Sequence, residues 1–313
     1  MFARRASEAE QDTPPERENI NGGVPLIDTG EIGRPSSLRI MFQVKVSPPV
    51  RFVKVISAVA ESLRFVQFEC TNSGLFVRTM DEAHVMFVEL DLTRTFFASY
   101  TSTSKIKVGV QLRELSRFLK QITNYALLVI QLTADEACLQ CSASDINGTT
   151  VRSFSAARLD IEADELMLPA LVYPITLRLA TKSLRRVIDC LGHFGVTLYI
   201  TITSTTSLIF ATQADNIAIR EIVHLKDASA YSGSITETQV GLIFAYPLKY
   251  VNNIVSVLGV ADTAMVSFGT EVPLCIRFDF DSIGDSHLTY YIPEAVFPAP
   301  SIPTSVSTAL ELD

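Results

Sequence analysis

Apolar and polar residues alternate with a period of two through most of the chain. The first half contains the runs LRIMFQVKV, RFVQFECT, GLFVRT, VMFVELDL, KIKVGVQL, YALLVIQLT, ACLQCSAS and TTVRSFSA. The second half contains YPITLRLA, VTLYITITS, SLIFATQ, IAIREIVHL, QVGLIFAY, AMVSFGT, PLCIRFDFD and HLTYYIP. Alternation on this scale predicts antiparallel sheets with one buried face. Helical spacing is confined to residues 50–63, 111–122, 181–191 and 247–258. In the second of these, Leu112, Leu115, Phe118 and Leu119 form one stripe, and Arg113, Arg117 and Lys120 another. The third repeats the device with Leu184, Val187, Ile188 and Leu191 against Lys182, Arg185 and Arg186. The order strand, helix, strands, helix, strands occurs twice, about 130 residues apart, as an internal duplication does.

The 313 residues accommodate two domains, each with its own core. The expected division is a polar tail at 1–38, a domain at 39–156, an extended connector at 157–174, a second domain at 175–298 and a second tail at 299–313. The connector, ARLDIEADELMLPALVYP, has no clear period. No apolar run reaches the ~18 residues of a membrane span, and the first residues lack a secretory apolar core, so an intracellular chain without membrane contact is expected.

Within FVRTMDEAHVMFVELDL (76–92), two strand-like ends flank a middle with two acids and a histidine. The stretch predicts two strands and a short turn in which the Asp81 carboxylate bonds local backbone, with Met80 and His84 at its flanks. Five scattered cysteines suit a reducing compartment. Cys138 and Cys141 form one C-x-x-C without the second ligand pair of a zinc site, and strand residues three apart face opposite ways. Asn147-Gly148-Thr149 fits a hairpin turn better than a glycosylation site.

The formal charge is −8, yet the four helical stretches hold nine bases: Arg51, Lys54, Arg113, Arg117, Lys120, Lys182, Arg185, Arg186 and Lys249. Against them stand only Glu61, Glu114 and Asp189. Helices gathered on one side of the sheets would concentrate positive charge on one surface, suited to duplex phosphates without base reading. No aromatic residues interleave with these bases in the manner of a single-strand platform.

Phosphate-loop, dinucleotide, zincin and nucleophile-elbow motifs are absent. His84, His193, His224 and His287 are too widely spaced for a local metal pair. Asp279 and Asp281, with Asp285 nearby, are the one place where an unrecognised metal-dependent enzyme would hold its ion; acidic strand edges are the commoner explanation. No cofactor or metal is expected.

MDEAHV (80–85), GVQLRELSRFLK (109–120), ELMLP (165–169), EVPL (271–274) and SHLTYYIP (286–293) occur in the order and spacing of the proliferating cell nuclear antigen family. The chain resembles these eukaryotic-type sliding clamps from about residue 38 to 297. The resemblance implies an α+β DNA-clamp fold of two similar β-rich domains, each with two helices on the inner face, and three subunits closing head to tail into a ring. Such a ring is not an enzyme. It encircles double-stranded DNA in the nucleus, is opened by a clamp loader, and tethers polymerases, nucleases and ligases that carry a short motif with apolar anchors.

Carried over residue by residue, Lys54, Arg117, Lys120, Arg186 and Lys249 match inner-wall bases, and helix phase adds Lys182 and Arg185. The partner pocket comprises Met80, His84, Val85, Phe87, Leu166, Leu168, Pro169, Pro273 and Tyr291. Subunit contacts fall on Thr150, Val151, Arg152 and Phe154 of one copy and Ile217, Ile219 and Ile222 of the next. Asp189 and Ser256 stand where the family commonly has bases, Ser204 where it has its ubiquitin-acceptor lysine, and Ile292-Pro293-Glu294 where it has Leu-Ala-Pro. A subunit of a heterotrimeric checkpoint-type clamp and a viral processivity factor working as monomer or dimer are the alternatives within this fold.

Overall fold

A computed structural model describes residues 40–134, 138–161, 168–214, 217–225 and 235–295. The first half runs β1 (Ile40–Val46), α1 (Val50–Ser62), β2 (Phe65–Cys70), β3 (Gly74–Met80), β4 (Phe87–Thr93), β5 (Ser99–Ser102), β6 (Ile106–Gln111), α2 (Leu112–Lys120), β7 (Leu127–Thr133), β8 (Cys138–Ser144) and β9 (Val151–Ala157). The second runs β10 (Ile175–Ala180), α3 (Thr181–Leu191), β11 (Thr197–Ser204), β12 (Ser207–Ala214), β13 (Ile217–His224), β14 (Ile243–Pro247), α4 (Leu248–Asn253), β15 (Thr263–Gly269), β16 (Val272–Asp279) and β17 (His287–Ile292). The fourth helix is shorter than its sequence pattern: after Asn253 the chain tightens into a 3₁₀ turn over Ile254–Gly259. Asn252, Asn253 and the β-branched Ile254, Val255 and Val257 are weak helix formers, which explains the change.

The strands form three antiparallel sheets: β5-β1-β7-β8-β9, the eight-stranded β10-β15-β16-β17-β4-β3-β2-β6, and β13-β12-β11-β14. The duplication is plain in these orders. β1-β7-β8-β9 corresponds to β10-β15-β16-β17, and β6-β2-β3-β4 to β14-β11-β12-β13. The eight-stranded sheet exists because β17 pairs with β4, setting Leu288 against Leu90 and Tyr290 against Val88. All four are fully buried on the core face.

The helices lie together on the core side. α1 packs on α2 and on the 254–259 turn, which also packs on α3. Phe52, Val55, Ile56 and Val59 of α1, Leu112, Leu115 and Leu119 of α2, and Leu184, Val187 and Ile188 of α3 face inward and are buried. Burial of such apolar surface, at roughly 25 cal/mol per Å², is the main force holding helices on sheets.

Among the described residues, the turns at Asp81, Asp145 and Asp281 use one device, an aspartate accepting from the backbone N–H groups that follow it. Asp145 accepts from Thr149 N at 2.8 Å and from the Thr149 hydroxyl at 2.6 Å, with Gly148 at φ 68°, so Asn147-Gly148-Thr149 is a hairpin turn.

Leu288→Ala removes a buried side chain at the joint between the halves, and an unfolding free energy lower by about 2–5 kcal/mol is expected. Chemical denaturation measures this; a loss below about 1 kcal/mol would contradict the packing described.

Candidate partner groove and basic helix face

On the face of the eight-stranded sheet opposite the helices, the register aligns Met80, Phe87, Tyr291 and Cys275 in one row across β3, β4, β17 and β16. Pro273 lies two residues from Cys275 on the same face of β16. The Phe87 and Tyr291 rings are 5.9 Å apart. The described ends of the connector, 157–161 and 168–174, lie over this face. Leu159 N donates to Gly109 O of β6 at 2.8 Å, and a Cβ on Gly109 would lie 2.3 Å from Leu159 O, so only glycine admits that approach. Between sheet and connector lies a cavity of about 600 Å³ whose apolar lining includes Phe65, Phe76, Phe87, Leu168, Pro169 and Tyr291.

Of the predicted partner residues, Phe87, Leu168, Pro169 and Tyr291 therefore share one cavity. Met80 stands opposite Phe87 at its margin, while His84, Val85 and Pro273 are outside its lining. Leu166 lies outside the described residues. His84 belongs to the turn: Asp81 accepts from Val85 N at 2.8 Å and Met86 N at 2.7 Å, and His84 takes a positive φ of 53°. Val85 packs partly against the core.

Sequence reasoning misses the charged ladder beside the apolar row. Arg78 donates to Glu89 at 3.0 Å and to both oxygens of Asp91 at 3.1 Å, and His287 Nε2 lies 3.9 Å from Asp91. Burial raises the pKa of Asp91 most, with Glu89 acting in the same direction; Arg78, His287 and Arg277 oppose it. Only strand parity signals this ladder in the sequence. Tyr173 also enters the cavity lining, its phenol pushed well above its ordinary range by burial and by Cys275 and Tyr291.

The predicted DNA-contacting bases, Lys54, Arg117, Lys120, Lys182, Arg185, Arg186 and Lys249, are all exposed on the helices. Arg117 meets Glu114 at 2.9 Å, Lys120 meets Glu61 at 3.6 Å and Arg186 meets Glu221 of β13 at 3.1 Å. Arg185 donates to Val255 O at 2.8 Å, and Lys249 stands 5.5 Å from the Tyr250 ring centre. Exposed pairs of this kind are worth under about 1 kcal/mol, so the side chains can exchange partners readily.

The residues weighed for other chemistry have structural duties. Cys138 and Cys141 face opposite sides of β8, and burial pushes the Cys141 thiol up to about 12. Asp279 pairs with Arg277 at 2.7 Å. Asp281 caps a turn: against the opposing effect of partial burial, N–H groups of Ser286, Gly284 and Asp285 hold its carboxyl below its usual value.

Of the predicted subunit contacts, Thr150, Val151, Arg152, Ile217 and Ile222 are exposed. Phe154 instead stacks on Phe118 at 5.1 Å, and Ile219 packs partly on the core.

Arg78→Met should raise the Asp91 pKa further, since the guanidinium is the largest lowering influence removed. The folded state then holds the proton more tightly than the unfolded chain, so the variant's stability falls as pH rises above about 4, the ordinary aspartate value. Carboxyl carbon-13 titration and urea unfolding between pH 4 and 7 measure both effects. A carboxyl titrating at or below its parent value contradicts the ladder.

Comparison with known proteins agrees with this architecture. Residues 41–166 match the family model for the proliferating cell nuclear antigen N-terminal domain, and residues 167–295 the model for its C-terminal domain. A curated proliferating cell nuclear antigen from Chaetomium thermophilum is 22% identical over 243 residues, covering 76% of this chain and 92% of its own length. The crystal structure of proliferating cellular nuclear antigen from Entamoeba histolytica superposes with a TM-score of 0.74 at 18% identity, over 82% of this chain and 99% of its own. The two halves matched in sequence are the two halves of the observed duplication, and the chain belongs to the proliferating cell nuclear antigen family of non-enzymatic DNA sliding clamps.

Proposed function

We propose that three copies of the chain close head to tail into a ring around duplex DNA, β9 of each copy pairing with β13 of the next. The observation that carries this reading is the internal joint. β17 and β4, which pair within the chain, are the duplicates of β9 and β13, which lie at sheet edges. Transferring the β17·β4 register through the duplication sets Val151 opposite Ile222, Arg152 opposite Glu221 and Phe154 opposite Ile219. Apolar meets apolar and base meets acid, as stabilising cross-strand pairs require. Val151 and Ile222 are 64% and 57% exposed in the single chain, a liability on edge strands that pairing removes. The contact joins two different surfaces, so it is satisfied everywhere only when a ring closes.

In that ring the helices line the hole and Lys54, Arg117, Lys120, Lys182, Arg185, Arg186 and Lys249 contact phosphates without reading sequence. Met80, Phe87, Leu168, Pro169, Pro273 and Tyr291 receive the apolar anchors of clamp-binding peptides from polymerases, nucleases and ligases, with His84 and Val85 on the turn beside them. A clamp loader opens the ring, and the nucleus is its place of work.

Native mass spectrometry tests the ring: a species of three times the chain's 34.4 kDa is expected. Ile222→Lys should return it to single chains, because a lysine in the closed joint loses its water. A parent protein that stays at one chain's mass contradicts the proposal. Phe87→Ala or Leu168→Ala should abolish binding of a clamp-motif peptide while the trimer persists, as buried apolar anchors carry such contacts. Unchanged affinity by calorimetry would refute the groove.

A further inference from the structure

The joint inside the chain and the proposed joint between chains differ at their centre. Leu159, which follows β9, donates to Gly109 O of β6 at 2.8 Å; Ala295, which follows β17, donates to Ala245 O of β14 at 2.8 Å. Gly109 and Ala245 both stand three residues before the first residue of the helix that follows, Leu112 and Leu248. Equal steps back from Leu159 and Ala295 make Arg152 the counterpart of Leu288. The registers of β6-β2-β3-β4 and β14-β11-β12-β13 make Glu221 the counterpart of Leu90. The internal joint is therefore centred on a leucine pair with no solvent contact, and the open edges carry a base and an acid in its place.

Both charges already have partners in the single chain. Arg152 donates to Gln121 Oε1 at 3.0 Å, a neutral acceptor at the end of α2. Glu221 holds Arg186 of α3 at 3.1 Å. The Glu221 side chain is 23% exposed and that of Arg186 78%, so a half-covered carboxylate at the edge anchors an arginine that reaches into solvent. Arg152 and Glu221 point to the helix side of their strands, since Phe154 and Ala156 pack on the core at the same parity as Arg152, and Ile219 and Val223 at that of Glu221.

We infer, on the strength of the proposed ring, that Glu221 is a shared acceptor coupling closure of that joint to DNA in the hole. When β9 of the next copy pairs with β13, its Arg152 comes opposite Glu221, and a carboxylate losing its water holds a partner within the same joint. Two guanidinium groups then face one carboxylate, which leaves an excess of positive charge. A DNA phosphate supplies the missing negative charge by taking Arg186, the arginine still in solvent. Glu221 is then left to Arg152 alone. The effect is reciprocal: DNA tightens the joint, and a closed joint turns Arg186 toward DNA. Arg117, paired with Glu114 on its own helix, has no such link to the edge.

Subunit exchange between full-length rings labelled in two colours, followed by energy transfer with and without a short blunt duplex, tests the coupling. Duplex should slow exchange of the parent protein about ten-fold. Arg186→Met changes an exposed side chain and leaves the fold intact. It should slow exchange of DNA-free rings about five-fold, because Glu221 then serves Arg152 without a rival. Lys54→Met, a change to a base on α1, should leave DNA-free exchange at the parent rate. Parent rings that ignore duplex, Arg186→Met rings that exchange as fast as the parent or faster, or an equal slowing by Lys54→Met would each overturn the coupling and leave the ring standing. A parent protein found at one chain's mass would overturn the ring, and the coupling with it.

Discussion

The pairing of β17 with β4 is the constraint on which the rest of the molecule depends. It fuses sheets from two duplicated halves into one of eight strands and places Leu288 on Leu90 at the centre of the joint. It also brings Tyr291 beside Phe87, so the apolar row of the groove draws on both halves and exists only because they are joined. Without the joint, each half would offer two edges of matching register. With it, one pair of edges is consumed and the other remains as β9 and β13. A chain that satisfies one pair of equivalent edges within itself leaves the other pair, β9 and β13, as the edges on which the proposed ring rests.

Much of this was legible in the sequence because the responsible patterns are local. Alternation locates the strands, and the stripe of Leu184, Val187, Ile188 and Leu191 fixes α3 at Thr181–Leu191. Asp81 declares its turn because short acidic side chains bond nearby N–H groups. The fourth helix was less legible, since apolar spacing persists through Ile254–Gly259 although the backbone there tightens to 3₁₀. Beyond these, strand parity tells which residues share a face but not which strands are neighbours. The ladder of Arg78, Glu89, Asp91 and His287 crosses a joint between residues about two hundred apart in sequence, and no local rule of strand pairing reaches that far. The groove residues came instead from family motifs, which name positions without giving their geometry. That is why Phe87, Leu168, Pro169 and Tyr291 converge on one cavity while His84 proves to be a turn residue with a positive φ.

The two faces of the molecule divide its chemistry. Bases crowd the exposed side of the helices in a chain of net charge −8, and acids such as Glu89 and Asp91 collect on the opposite sheet face. The helix bases are held lightly. Arg117, Lys120 and Arg186 meet their carboxylates across solvent-exposed distances of 2.9, 3.6 and 3.1 Å, pairs that salt or a competing anion can displace. Asp91 is held more firmly, half-buried with both of its oxygens 3.1 Å from Nη2 of Arg78. The asymmetry is one of burial: exposed pairs on the helices exchange at little cost, whereas the sheet wall that joins the two halves holds its contacts away from water.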